Sequence, residues 1–125
     1  MTRVLMVGLG GFLGAILRYW LSGFAQSPRT SFPIGTLVVN VVGCFLVGVL
    51  AQLVDTRGYL QPDTRALVFV GILGGFTTMS TFANETVAAA KGGALFMATA
   101  NVTATFVLCL SAAWAGRQVA HLVWR

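Results

Sequence analysis

The sequence predicts an all-α, polytopic membrane protein with four transmembrane helices, the third of them broken. Three observations lead there. Hydrophobic residues make up 57% of the 125 residues and charged residues only 9%, with a mean hydropathy of +0.85. A water-soluble chain carries about 25% charged residues to cover its surface, so the membrane is the expected solvent. The apolar residues fall into four runs, and about 20 residues of helix suffice to cross a hydrocarbon core about 30 Å thick. Inside the third run stands GGFTTMSTFANE (residues 74–85), which places two glycines, five hydroxyl or amide side chains and a carboxylate at membrane depth.

The first helix covers about residues 4–24 and is ended by the polar QSPRTS with Pro28. Its lone Arg3 and apolar run look like a signal peptide. No AxA-like cleavage site follows, however, and three more apolar segments come later, so it is expected to persist as a mature helix. Within it, VLMVGLGGFLGAILRY imitates a strand and a glycine-rich nucleotide loop. That fingerprint requires an acidic residue about 20 positions on to hold the ribose, and the first acid of this chain is Asp55.

The second helix covers about residues 34–54 and opens after Pro33, a good first-turn residue. Asp55, Arg57, Gly58, Gln61, Pro62 and Asp63 form an aqueous connector. The third runs over about residues 64–90, and unbroken it would extend about 40 Å, longer than the hydrocarbon core requires. The fourth covers about residues 94–114 and stops before Arg117 and Gln118. Tyr19, Trp20, Tyr59, Trp114 and Trp124 fall near segment ends, as an interfacial aromatic belt requires. Residues 1–125 form one transmembrane domain.

The eight basic and three acidic residues are scattered singly between apolar runs. They form no clustered patch of the kind nucleic acid needs, and they read as headgroup anchors. With four spans, Arg3, Arg57, Arg65, Arg117 and Arg125 share one side, and Arg18, Arg29 and Lys91 the other. This weak positive-inside bias leaves insertion in both orientations open, and with it an antiparallel pair. Fifteen glycines, including the GxxxG pairs Gly10/Gly14 and Gly71/Gly75, let backbones approach closely and point to a homodimer. Cys44 and Cys109 sit in apolar runs as small packing residues, His121 stands alone, and neither enzyme chemistry nor metal-ligand spacing emerges.

Polar residues inside the spans are the candidate site. Thr36, Asn40 and Gly43 share one face of the second helix. A lone Asn there either bonds a neighbouring helix or donates to something passing through. In the third helix the Gly74–Gly75 pair, followed by Thr77, Thr78, Ser80 and Thr81, predicts a break rather than a packing kink. Broken backbone exposes carbonyls that suit a hard cation, and helix N-terminal amides that suit an anion. Met79, Phe82 and Glu85 recur on one face beside Ser80, Thr81 and Asn84. Hydroxyl and amide donors with positive ring edges suit a small, hydrogen-bond-accepting anion. Asn101 and Thr105, at i and i+4 of the fourth helix, are the candidate opposite wall.

These residues together resemble the Fluc (also called CrcB) family of small membrane fluoride channels. GGFLGAILRY (residues 10–19), GTLVVNVVGCFLVG (residues 35–48) and GGFTTMSTFANE look like its first-, second- and third-helix signatures, in order, in a chain of the right length. The resemblance implies a dual-topology, antiparallel homodimer with two pores in the bacterial inner membrane, exporting fluoride passively and protecting the cell from it. It further implies a structural Na⁺ at the dimer centre, held by the Gly74 and Thr77 carbonyls of both subunits. Asn40 and Phe82 match pore residues of the family, and Arg18 matches a first-helix arginine near the pore mouth. Thr36, Thr81 and Glu85 match recurrent positions. Met79 departs from the pattern by standing where the family has a first pore phenylalanine. Asn101 and Thr105 take the places of a tyrosine and a serine.

Two other readings fit the length and span count. A small four-helix drug/proton antiporter needs an intramembrane carboxylate, usually in the first helix, whereas here Glu85 is the intramembrane acid and the first helix has none. A non-transporting assembly subunit would use its polar faces for helix pairing alone.

Overall fold

The computed structural model describes residues 1–58 and 60–124. The expectations for Tyr59, Arg125 and the Arg57 side chain lie outside the described residues. Four helical spans are long and apolar enough to cross a membrane. We name them α1 (Thr2–Ala25), α2 (Ile34–Arg57), a third span in two halves, α3 (residues 62–76) and α4 (Met79–Lys91), and α5 (Leu95–Val123).

Local chemistry sets the boundaries. Gln26 joins the end of α1 to the start of α2: its Oε1 accepts from the Gly35 amide (3.1 Å) and its Nε2 donates to the Phe32 carbonyl (3.1 Å). Helix α2 stops at Gly58, whose φ of 63° lies in the left-handed region that glycine enters without strain. Gly93, at φ 80°, turns the chain between α4 and α5 in the same way. The fourth helix continues past Trp114 to Val123, so the expected stop before Arg117 is corrected. Arg117 does not end the helix because it reaches sideways to Asp55 of α2 (2.9 Å).

A second exposed ion pair, Arg3–Asp63 (2.9 Å), joins the N-terminus to the start of the third span. Exposed pairs contribute little stability, about 0–1 kcal/mol. What they report is register, with the N-terminus, the 55–63 connector and the C-terminal part of α5 at one end of the bundle.

Two seams of close backbone contact hold the spans. Helices α1 and α3 run parallel: a Cβ on Gly71 would lie 2.8 Å from the Gly10 Cα, and one on Gly75 2.8 Å from the Gly11 carbonyl oxygen. Helices α2 and α5 also run parallel: a Cβ on Gly48 would lie 2.9 Å from the Ala113 carbonyl carbon, and one on Gly116 3.0 Å from the Val49 amide nitrogen, while Gln52 and Asp55 further along α2 meet Arg117 further along α5. In lipid, where apolar surface gains little by meeting apolar surface, such close packing is a main source of helix association.

Two features of the third span differ from expectation. Residues Ala66–Leu73 form a π-helix, a rare geometry that a sequence does not announce and that often accompanies functional sites. The break falls at Thr77 and Thr78, whose backbones are extended (φ −78°, ψ 156° and φ −147°, ψ 108°). It does not fall at Gly74–Gly75, which remain helical, because Gly75 serves the seam with α1 through its contact with Gly11.

Gly10→Ala should therefore destabilise the folded protein by about 1–3 kcal/mol, the usual cost of overpacking. Gly8→Ala, at a position with open space around it, should be neutral. Thermal loss of monodisperse protein in detergent measures both.

Candidate functional site

The break leaves peptide groups that the helix can no longer satisfy, and side chains take over. Asn40, buried at 7% exposure in α2, holds Thr78 at both ends of its amide. The Thr78 N–H donates to Asn40 Oδ1 (2.8 Å), and Asn40 Nδ2 donates to the Thr78 carbonyl (3.1 Å). The extended Thr78 thus receives the paired bonds a neighbouring β-strand would give it. Its side chain then caps α4. Thr78 Oγ1 accepts from the Thr81 amide (3.2 Å) and donates to Thr81 Oγ1 (2.9 Å), the hydroxyl N-cap geometry that satisfies one first-turn donor.

Both diversions free a carbonyl. In a continuous helix the Thr78 amide would bond the Gly74 carbonyl and the Thr81 amide the Thr77 carbonyl. Here these two amides go to Asn40 and to Thr78 Oγ1. Among the described residues no cluster of three or more His, Cys, Asp or Glu stands ready for a metal, so any cation site here would be built from backbone oxygens.

Three cavities surround the break and α4. One of about 380 Å³ is lined by Asn40, Thr77, Thr78, Met79, Phe82 and Thr105 with α5 side chains. Phe82 is buried at 5% exposure and meets Phe106 edge to face, with centroids 6.3 Å apart. Thr105 Oγ1 is buried there without a hydrogen-bond partner, a state that normally costs about 1–3 kcal/mol and so calls for a ligand or water. A second cavity, of about 470 Å³, gathers Arg18, Thr36, Thr78, Ser80 and Thr81. A third, of about 420 Å³, is lined by Glu85, Thr86 and Asn101. Thr36 Oγ1 donates to Glu85 Oε1 (2.8 Å), while Glu85 Oε2 is buried without a partner.

The predicted residues therefore converge on α4 but do not line one continuous face. Met79 and Phe82 share the first cavity and Glu85 opens on the third, because a break just before Met79 leaves α4 packed against α2 on one side and α5 on the other. Met79 is also 64% exposed, on the outer surface of the subunit. Asn101 and Thr105 are both buried but divide between cavities: Asn101 Nδ2 donates to Thr86 Oγ1 (2.9 Å), which in turn donates to the Phe82 carbonyl (2.8 Å).

Sequence reading missed the roles of Thr78 and Thr86. The signal for Thr78 was present, since a hydroxyl residue directly before a helical run is a candidate N-cap. For Thr86, which carries the bond from Asn101 across two helices, no local pattern existed.

Four apolar spans, one of them broken, with buried polar groups gathered at the break, define a multi-pass membrane protein built around intramembrane polar cavities. Residues 5–117 match the family model described as "CrcB-like protein, Camphor Resistance (CrcB)", and the chain belongs to that family. It is 42% identical over 117 residues (94% of this chain, 89% of the relative) to a protein of Methanosarcina acetivorans named Fluoride-specific ion channel FluC 1. It is 45% identical over 120 residues (95% and 96%) to Fluoride-specific ion channel FluC of Shewanella sp. (strain W3-18-1). It is 43% identical over 122 residues (97% and 98%) to the protein of that name from Shewanella amazonensis.

Replacing Asn40 by Leu removes the partner of both Thr78 peptide groups. Each group left unpaired costs about 1–3 kcal/mol, so the variant should melt well below the parent protein when unfolding is followed by circular dichroism in detergent.

Proposed function

We infer that this chain is a fluoride-selective ion channel that exports fluoride passively across the membrane and protects the cell from fluoride toxicity. It acts as an antiparallel homodimer in the bacterial inner membrane. The observation that carries the reading is the cavity beside Phe82, where the unpartnered Thr105 hydroxyl and Asn40 line a largely apolar space. The names of relatives more than 40% identical along nearly the whole chain point the same way.

Fluoride is small and keeps its hydration shell tightly, so a pore has to replace water with donors already in place. Candidates are the second hydrogen of Asn40 Nδ2, the Thr105 and Ser80 hydroxyls and the first-turn amides of α4, whose N-terminus also carries positive dipole. The positive edge of the Phe82 ring adds a weaker attraction. Arg18, in the cavity that holds Ser80 and Thr81, raises the local anion concentration at the mouth. Larger halides would be left incompletely coordinated.

The dimer is supported by exposed polar groups. Ser80, Thr81 and Asn84 are exposed on the isolated subunit at membrane depth, where lipid would leave them unsatisfied and a second subunit would not. The Na⁺ reading rests on the carbonyls of Gly74 and Thr77, deprived of their helical donors. Oxygens of this kind from two subunits suit a hard monovalent cation, which when bound supplies a positive charge joining the two broken spans.

Liposomes loaded with KF or KCl, followed by ion-selective electrodes, test the reading. Fluoride efflux well above chloride efflux is expected, and equal release of both ions, or none of fluoride, would overturn it. Met79→Phe should retain fluoride efflux, while Phe82→Ile and Asn40→Asp should lower it at least about tenfold, a barrier increase of about 1.4 kcal/mol. Exchanging Na⁺ for a larger monovalent cation should weaken dimer stability or flux, measured by crosslinking and by the same efflux assay.

A further inference from the structure

The cavity beside Phe82 has a second chemistry on its far wall that ion conduction does not use. Cys44 of α2 and Cys109 of α5 both line it, and both are free thiols at intermediate burial. The helix seam explains this shared lining. Gly48 against Ala113 and Gly116 against Phe45 bring the α2 and α5 backbones together, and one turn along that seam the cysteines border the same cavity. Met79 lines the same cavity with a thioether.

We propose that Cys44 and Cys109 form a binding site for a soft divalent cation that accepts two-coordinate, linear thiolate ligation, the class represented by Hg²⁺, and that its occupation blocks the adjoining cavity. Sulfur ligands select soft metals over hard ones. Metal–thiolate bonds near the zinc–sulfur length of about 2.3 Å let one ion sit between two sulfurs that border the same cavity from adjacent helices. Charge narrows the choice further. Each thiol releases its proton on binding, so two thiolates and a divalent ion form a neutral unit, and burying it avoids the cost of an unpaired charge at membrane depth. Zn²⁺ would need four ligands, and the two thiols supply only half of them.

The blocking step rests on the channel reading, whereas binding does not, so the experiment measures them separately. Full-length protein in detergent is exposed to HgCl₂, washed with an excess of a monothiol competitor, and its mercury is counted by mass spectrometry. One Hg²⁺ per chain should survive the wash. In Cys44→Ser and in Cys109→Ser, retention should fall by about a hundredfold or more, because the second sulfur no longer acts at high effective concentration. Two Hg²⁺ per chain in the parent protein, or equal retention in the single variants, would overturn the site.

In liposomes, Hg²⁺ should stop fluoride efflux from the parent protein through the monothiol wash. Both serine variants should conduct before treatment and regain efflux on washing. Persistent efflux from mercury-loaded parent protein would overturn the block. Absence of fluoride efflux before any mercury is added would count against the channel reading and leave the measured stoichiometry to decide the site.

Discussion

A chain in lipid has to satisfy its backbone donors and acceptors from within, and at Thr77–Thr78 the helical ladder ceases to do so. Asn40 supplies the missing partners from a neighbouring helix, with bonds of 2.8 and 3.1 Å to the two polar groups of one residue. Much of the site follows from that double bond. It fixes the distance between α2 and the broken span and keeps Thr78 extended. It leaves the Thr78 hydroxyl in position to cap α4, and it diverts the amide that would otherwise occupy the Gly74 carbonyl. Val39, the neighbour of Asn40 and fully buried, gives this contact a rigid base.

The glycine seams provide the frame within which that contact forms. Helices α1 and α3 pack through Gly10, Gly11, Gly71 and Gly75, and α2 and α5 through Gly48 and Gly116. The two pairs are largely self-sufficient, so α4 lies between elements positioned without it. This arrangement places polar groups on several sides of α4. One broken helix thereby borders three cavities with different chemistry: apolar with isolated donors beside Phe82, cationic near Arg18, and acidic near Glu85.

Spans and seams were legible in the sequence because lipid imposes long apolar runs and because close helix contact demands small residues at fixed spacing. The polar positions Thr36, Asn40, Asn101 and Thr105 were legible as buried, since their exposure to lipid would be costly. Their partners were not. That Thr36 meets Glu85 and Asn101 meets Thr86 depends on how α4 is rotated, and rotation after a break is set by tertiary contacts. The same limit explains the misplaced break. Glycine signals flexibility and close approach alike, and at Gly75 the contact with Gly11 decides for close approach.

The π-helical segment Ala66–Leu73 sets a second rotation, that of the residues leading into the break. A π turn accommodates one more residue than an α turn over nearly the same rise, so everything beyond it is out of phase with an uninterrupted α-helix by about 100°, the angle of one residue. Gly71 lies within the segment and Gly75 beyond it, yet both face α1, and the side chains of residues 76–78 are aimed by the same offset. The segment works as a phase adjuster: straightening it into a regular α-helix at unchanged length would turn Phe76, Thr77 and Thr78 away from Asn40 by about that angle, whereas loss of one residue with the same straightening would keep them aimed as they are. The winding of that short apolar run is therefore as much a part of the site as the polar residues that follow it.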